Sequence, residues 1–244
     1  MSFDLPFLVI NLERSIDRWT SIDEQATAHG ISVERVPAVD GNAIPPAEWR
    51  DFSARKFALF HGRRPMGAEY GCYMSHIRAL EQVVERDLPY AVILEDDASF
   101  LPDTTVRLAS LIESGFHFDV VKLFNHRVKG FISKHKTAAG DDVGRCVHGP
   151  MCSSMGYLVT SNGARRLLRS LKPMFLPYDI ALERGWDGGA EIYLTRNPII
   201  QPSGIAISTM GDYRATKYPR IMRIPTALFR GQDYVARTIY AFRG

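Results

Sequence analysis

The chain has 244 residues, 45% of them hydrophobic and 23% charged, with a net charge of +3, which is the make-up of an ordinary soluble globular protein with one sizeable core. No stretch approaches the roughly 18 to 20 apolar residues that span a bilayer, and the opening MSFDLPFLVINLERS, with an acid near its start and a short apolar run, reads as neither a secretory signal nor an anchor. The three cysteines, Cys72, Cys146 and Cys152, are few and odd in number, which fits a reducing compartment and makes the cytoplasm the expected location.

The apolar run 7–12 predicts a buried strand. A helix should follow, opening at Ser15, carrying Ile16, Trp19, Ile22 and Ala26 on one face and ending at Gly30. Residues 31–41 alternate as a second strand, so the opening reads strand, helix, strand, a unit that implies parallel pairing. Residues 42–66, with Pro45, Pro46 and Pro65 and five arginines or lysines, read as an irregular, ligand-facing insertion. From Glu69 the spacing of Tyr73, Ile77, Leu80 and Val84 predicts a helix that Pro89 stops. A strand over YAVILEDD, a polar helix near 103–114 and a strand over FDVVKLF follow, then a loop or small hairpin over 125–150. GYLVT reads as a strand, and Asn162 is placed to cap the helix GARRLLRSL before Pro173. The expected architecture is one α/β domain over 1–210, with a mostly parallel sheet flanked by helices.

The remaining stretch, 211–244, holds seven basic and two acidic side chains, a local +5 that leaves −2 for the rest of the chain. Six aromatic residues interleave with these bases. Such a segment suits an anionic membrane surface or a polyanion, or is a solvated, loosely packed tail. Nucleic-acid binding is disfavoured, because no recognised module is present and the overall charge is near neutral.

The sharpest local feature is Glu95-Asp96-Asp97, three acids at the end of an apolar strand. Alternation sends Glu95 and Asp97 to one side and Asp96 to the other. The carboxyl end of a parallel strand is where ligands of open sheets bind, and hard oxygen donors favour Mg²⁺ or Mn²⁺, which would relieve the repulsion and bridge to phosphate. The alternative is that the acids cap the next helix or pair with bases such as Arg78.

These residues do not stand alone. VINLERSIDRW, VPAVDG, GAEYGCYMSHIRAL, VILEDD, MGYLVTSNGARRLL and LPYD occur in an order and spacing that resembles glycosyltransferase family 25, over about residues 7–201. The constellation Glu69, Gly71, Cys72, Ser75, His76 and the acidic triplet are its most specific pieces. The resemblance implies a GT-A fold, with a donor half about 1–125 and an acceptor half about 126–210, and inverting transfer from a nucleoside diphosphate sugar, typically UDP-galactose. Carried over by position, Asp97 and Glu95 stand in the metal-binding acidic motif, with Mn²⁺ preferred over Mg²⁺. Asn11, Leu12, Arg14, Arg18, Val39, Asp40, Ser75 and Asp96 become donor-nucleotide contacts. Arg14 and Arg18, four apart on one helix face, suit a diphosphate, or else pair with Glu13 and Asp17 on the surface.

Transfer also needs a base for the acceptor hydroxyl. Asp179 in LPYD matches the family's late acidic position, and its competing reading is a helix cap; Asp187 and Glu191 are the next candidates, with Trp186 placed to stack on a sugar. His76 and His148 are candidate donor or metal contacts, although a histidine on an amphipathic helix is commonly structural. Cys72 reads as core packing, since inverting transfer uses no thiol nucleophile. Cys146, His148 and Cys152 lack the paired spacing of a zinc site. The expected function is metal-dependent transfer of a hexose to a lipid-linked glycan precursor such as lipopolysaccharide or lipooligosaccharide, beside the cytoplasmic face of a membrane. A nucleotide-sugar-binding protein without turnover is the alternative.

Overall fold

The computed structural model describes residues 5–204 and 215–243. In chain order the elements are β1 (Phe7–Asn11), α1 (Ile16–Ala28), β2 (Val33–Pro37), α2 (Ala54–His61), α3 (Gly67–Glu85), β3 (Tyr90–Glu95), β4 (Ala98–Phe100) and α4 (Thr104–Glu113). Then come β5 (Val120–Lys122), β6 (Lys129–Lys136), β7 (Asp142–His148), β8 (Gly156–Thr160), α5 (Ser161–Ser170), α6 (Tyr178–Leu182), α7 (Gly185–Gly188), β9 (Ile192–Thr195), β10 (Ile200–Pro202) and α8 (Ile224–Phe242).

Eight strands form one sheet in the order β2-β1-β3-β8-β5-β9-β7-β6, and β4 pairs with β10 separately. The sheet is mixed. β1 runs parallel to β2 and β3, and β5 to β9, but β8 is antiparallel to both β3 and β5, and β7 to both β6 and β9. The expected mostly parallel sheet is therefore corrected: parallel pairing fills only the β2-β1-β3 edge and the β5-β9 pair. The apolar run of β8 has the same composition whichever way the strand points, so direction is invisible to pattern.

Alternation along the strands builds the core on two faces. Leu8 and Ile10 of β1 and Ala91 and Ile93 of β3 pack beneath α3, α5 and α6, whereas Phe7 and Val9, Val92 and Leu94 pack against α1 and α4. Helix α2 lies in the stretch expected to be irregular; its buried Phe57 joins the first face, and Gly62 at φ +75° ends it. The 125–150 hairpin is present as β6 and β7. Helix α5 is capped by Thr160, whose hydroxyl accepts from the Gly163 amide at 2.9 Å, in place of Asn162.

The basic stretch near the C-terminus is not a loose tail where it is described. Helix α8 lies against β7 and α2 and buries Thr226, Arg237, Tyr240 and Ala241. The Tyr240 hydroxyl accepts from Ile192 N at 2.7 Å and donates to Ala190 O at 2.7 Å, and the Arg145 guanidinium sits between the Tyr193 and Tyr240 rings. The boundary expected at 210/211, and with it Asp212, Tyr213 and Arg214, lies outside the described residues. Among those residues no helix is long and apolar enough to cross a membrane.

One contact fixes the site. Residues 39–42, after β2, lie directly on the first turns of α3, so that a Cβ on Gly71 would stand 2.5 Å from Val39 O and 2.7 Å from Gly41 N. A Cβ on Gly67 would meet Asn42 Oδ1 at 2.5 Å, and one on Gly41 would collide with backbone of Gly67 and Gly71. Only glycine allows this approach. Gly71→Ala should destabilise the protein by about 1–3 kcal/mol in urea unfolding. Gly231→Ala, on α8 with open space around it, should instead stabilise by up to about 1 kcal/mol. Equal effects at both positions would refute the packing argument.

Candidate active site at the carboxyl ends of β1, β2 and β3

Because β2, β1 and β3 are adjacent and parallel, their carboxyl ends share one edge of the sheet. That edge gathers Asn11, Asp40 and the triplet Glu95, Asp96 and Asp97. Alternation past the end of β3 holds: Glu95 turns toward α3 and Asp96 toward α1. Asp96 accepts from Asn11 Nδ2 at 2.7 Å and from Arg18 at 3.0 Å. Arg14 pairs with Asp40, whose carboxyl that guanidinium holds below its usual value. The two arginines thus bind the carboxylates of the candidate donor site, in place of the surface pairs with Glu13 and Asp17. Leu12 follows β1 directly, and its carbonyl accepts from Ser15 N at 2.8 Å.

The motif on α3 serves this edge residue by residue. Glu69 accepts from Met66 N at 3.0 Å in the first turn, and Ser75 Oγ accepts from Val39 N at 2.8 Å, tying α3 to the loop after β2. His76 is fully buried, stacked on Tyr178 with ring centres 4.0 Å apart; Nδ1 lies 3.1 Å from the Tyr157 hydroxyl and Nε2 3.4 Å from Glu95. His76 therefore positions Glu95 from below. Cys72, read from sequence as core packing, lies in the site instead: its sulfur, His76 and Glu95 have ligand atoms all within 4.8 Å of one another, a group able to hold a metal ion. Burial, reinforced by the charges of Glu95, Asp179 and Asp97, pushes the Cys72 thiol well up, so it is not a thiolate nucleophile.

Electrostatics separates the two acids on this side. Burial would raise Glu95, but the hydrogen bond and charge of His76, the Ser154 hydroxyl and the charge of Arg18 outweigh it and hold the carboxyl below its ordinary value. Asp97 is pushed up to about 6 by burial and by Glu95 and Asp96. Its Oδ1 is buried and has no hydrogen-bond partner among the described residues. An orphaned carboxylate oxygen beside two other acids fits a divalent cation, and the residues that would hold it are Asp97 and Glu95, with Cys72 and His76 reaching the same carboxylate from α3.

A second, fully buried charge cluster supports the site. Glu183 on the turn after α6 accepts from Lys122 Nζ (2.9 Å), Arg237 (2.9 Å), Met151 N (3.0 Å) and Cys152 N (2.8 Å). It holds a strained loop in which Cys152 and Ser153 have φ of 61° and 73°, and which delivers the Ser154 hydroxyl to Glu95. Sequence reasoning missed Ser154, Tyr157, Tyr178, Lys122 and Glu183. The one visible signal was Lys122 inside an apolar strand, which demanded a buried anion.

Asp179, on α6, accepts from Ile180 N at 2.9 Å, and burial and Glu183 raise its carboxyl. The other candidates are not brought here. Glu191, level with Asp119, Thr160 and Tyr90 across the sheet, is five residues from the level of Glu95, about 16 Å along the strands. It is paired with Arg145 and Tyr193. Asp187 is exposed and paired with Arg184, Trp186 is packed with Tyr240 and Arg237, and His148 lies against Tyr234 of α8. Strand levels put Glu191 and His148 at the opposite edge, which spacing in sequence does not reveal.

The sequence model of glycosyltransferase family 25 (LPS biosynthesis protein) matches residues 4–182. The chain belongs to this family. A family 25 member of Drosophila melanogaster is 28% identical over 189 residues, 73% of this chain and 30% of that protein. Procollagen galactosyltransferase 1-B of Xenopus laevis is 26% identical over 248 residues, 98% of this chain and 38% of that protein. The chain thus spans well under half the length of these relatives. A solved glycosyltransferase involved in the glycosylation of the major capsid of PBCV-1 has a TM-score of 0.36 at 8% identity, over 68% of this chain and 66% of that one, too slight to carry an argument. The family 25 match takes in every residue of the acidic edge and Asp179, and stops before Trp186, Asp187 and Glu191.

Two expectations test this geometry. With divalent metal chelated, folded Asp97 keeps its proton up to about pH 6 whereas an unfolded aspartate loses it near 4, so the wild type gains stability as pH falls between those values. Asp97→Asn should therefore be the more stable protein at about pH 8, by up to about 3 kcal/mol, with the difference shrinking as pH falls through 6; a pH-independent difference would contradict it. Glu183→Gln leaves Lys122 and Arg237 buried without their anion and should cost about 3–5 kcal/mol in chemical unfolding.

Proposed function

We propose that this chain is a metal-dependent, inverting glycosyltransferase of GT-A type that moves a hexose from a nucleoside diphosphate sugar, with UDP-galactose the first donor to test. The observation that carries the reading is the acidic edge itself, where Asp97 keeps an unpartnered buried oxygen beside Glu95 and Asp96. Family membership supports transferase activity.

In this reading Asp97 and Glu95 hold Mn²⁺ or Mg²⁺, which when bound supplies positive charge to the departing diphosphate. Asn11 and Arg18 fix the Asp96 carboxylate, and Arg14, Asp40 and Val39 line the nucleotide's base and ribose. Ser75 holds the Val39 amide, and with it the loop after β2. Asp179 takes the proton from the acceptor hydroxyl; its raised carboxyl brings its basicity closer to neutral pH, where a general base works best. The acceptor is a glycan precursor of the cell surface, lipopolysaccharide or lipooligosaccharide, met in the cytoplasm beside the membrane. The matched family's description as LPS biosynthesis protein supports that choice. The relatives named as procollagen galactosyltransferases support galactose as the transferred sugar.

The test is donor hydrolysis and transfer with a panel of nucleotide sugars, with and without Mn²⁺. One UDP-sugar should turn over only with metal, Asp97→Ala should be folded and inactive, and Asp179→Asn should lose about 10²–10⁴ in kcat while still binding UDP. UDP binding without metal, no turnover with any donor, and unchanged binding by Asp97→Ala would sink the proposal.

A further inference from the structure

A concave site lies away from the acidic edge. Between the end of α2 and the start of α8, a cavity of about 600 Å³ is lined by His61, Arg63, Lys217, Arg220, Arg223 and Arg230, with Gly62, Thr226 and Ala227. Among the described residues its lining contains no carboxylate. Five cationic side chains, Arg63, Lys217, Arg220, Arg223 and Arg230, surround one cavity and repel one another, and such an arrangement is stabilised by an anion.

The cleft is built rather than incidental. Residues 62–64 and 216–218 are tied by backbone bonds from Arg64 N to Thr216 O (2.8 Å) and Tyr218 N to Gly62 O (3.2 Å), and Arg63 also donates to Thr216 Oγ1 at 3.2 Å. Thr226 Oγ1 donates to Leu59 O at 2.8 Å, clamping the first turn of α8 to α2. Among the described residues the buried Arg223 Nε has no hydrogen-bond partner. Burial together with Arg63 and Arg230 pushes the His61 imidazole down to about 3, so it faces the cavity uncharged and the positive field comes from the lysine and arginines.

We propose that this cleft is a binding site for a phosphate-bearing group, carried by the acceptor on which the acidic edge acts. Arginine forks and a lysine ammonium are the side chains that match phosphate oxygens. The cavity volume suits a phosphorylated sugar or a lipid headgroup. The two sites are in reach of one another: His61 lies 3.9 Å from Glu69, and Glu69 precedes His76 by seven residues of α3, on the order of 10 Å along the helix. One extended acceptor spans them. Ile221, Met222, Ile224 and Leu228 are exposed on the same turns as Arg220 and Arg223, which makes a membrane lipid one source of the phosphate. The assignment of the ligand as acceptor rests on the transferase reading; the phosphate site does not.

The test is calorimetry with inorganic pyrophosphate in chelated buffer, and sedimentation with vesicles of phosphatidylglycerol or of phosphatidylcholine. Both use the wild type and the exposed-residue variant Lys217→Ser/Arg220→Ser. Wild type should bind pyrophosphate, and the double variant should bind about tenfold more weakly or worse while its UDP binding with Mn²⁺ is unchanged. Loss in the variant of phosphatidylglycerol binding, with phosphatidylcholine inert, supports the same site and makes the source a lipid headgroup. Loss of pyrophosphate binding alone makes it a soluble or glycan phosphate. No binding of either phosphate source by wild type, or equal binding by the variant, overturns the proposal. Absent UDP binding in wild type would instead count against the transferase reading and leaves the pyrophosphate comparison intact.

Discussion

The contact between the loop after β2 and the first turns of α3 is the constraint on which the rest depends. Gly41, Gly67 and Gly71 let two backbones meet where a single methyl group would force them apart. Once α3 is seated that closely, Ser75 reaches the Val39 amide, His76 comes within 3.4 Å of Glu95, and Cys72 lies beside the same carboxylate. The motif on α3 is thus one mechanical device: glycines for approach, a serine for attachment, and a histidine for aim.

Three ionised or ionisable carboxyls then sit together at a strand end, and the protein distributes them unequally. Asp96 has Asn11 and Arg18, Glu95 has His76 and Ser154, and Asp97 is left with a buried oxygen that no described side chain satisfies. Like charges at this distance cannot all be stabilised by the chain alone. The unequal distribution leaves Asp97, beside Glu95, as the carboxylate whose charge a bound cation could neutralise.

Support for this arrangement comes from far along the chain. Glu183, Lys122 and Arg237 form a buried cluster that holds the 151–154 loop in left-handed conformations, and that loop carries the serine that touches Glu95. Arg237 belongs to α8, so the C-terminal helix that looked like a charged appendage reaches the support of the acidic edge. The ion cluster is costly to desolvate, and its retention is understandable as a means of fixing one loop geometry.

The sequence by itself determined most of the elements and the chemistry of one edge. Continuous apolar runs gave β1, β3 and β8, helical spacing gave α1, α3 and α5, and the triplet at 95–97 marked acids gathered at a strand end, because these signals are local in the chain. What only the tertiary structure decided was direction, depth and partnership. Antiparallel β8, and strand levels that carry Glu191 and His148 to the far edge, leave no trace in composition. Cys72 and Ser154 joined the site, and Trp186 and Asp187 left it, through contacts between segments dozens of residues apart. Periodicity reports which face of an element is buried, and it is silent on which other element covers that face.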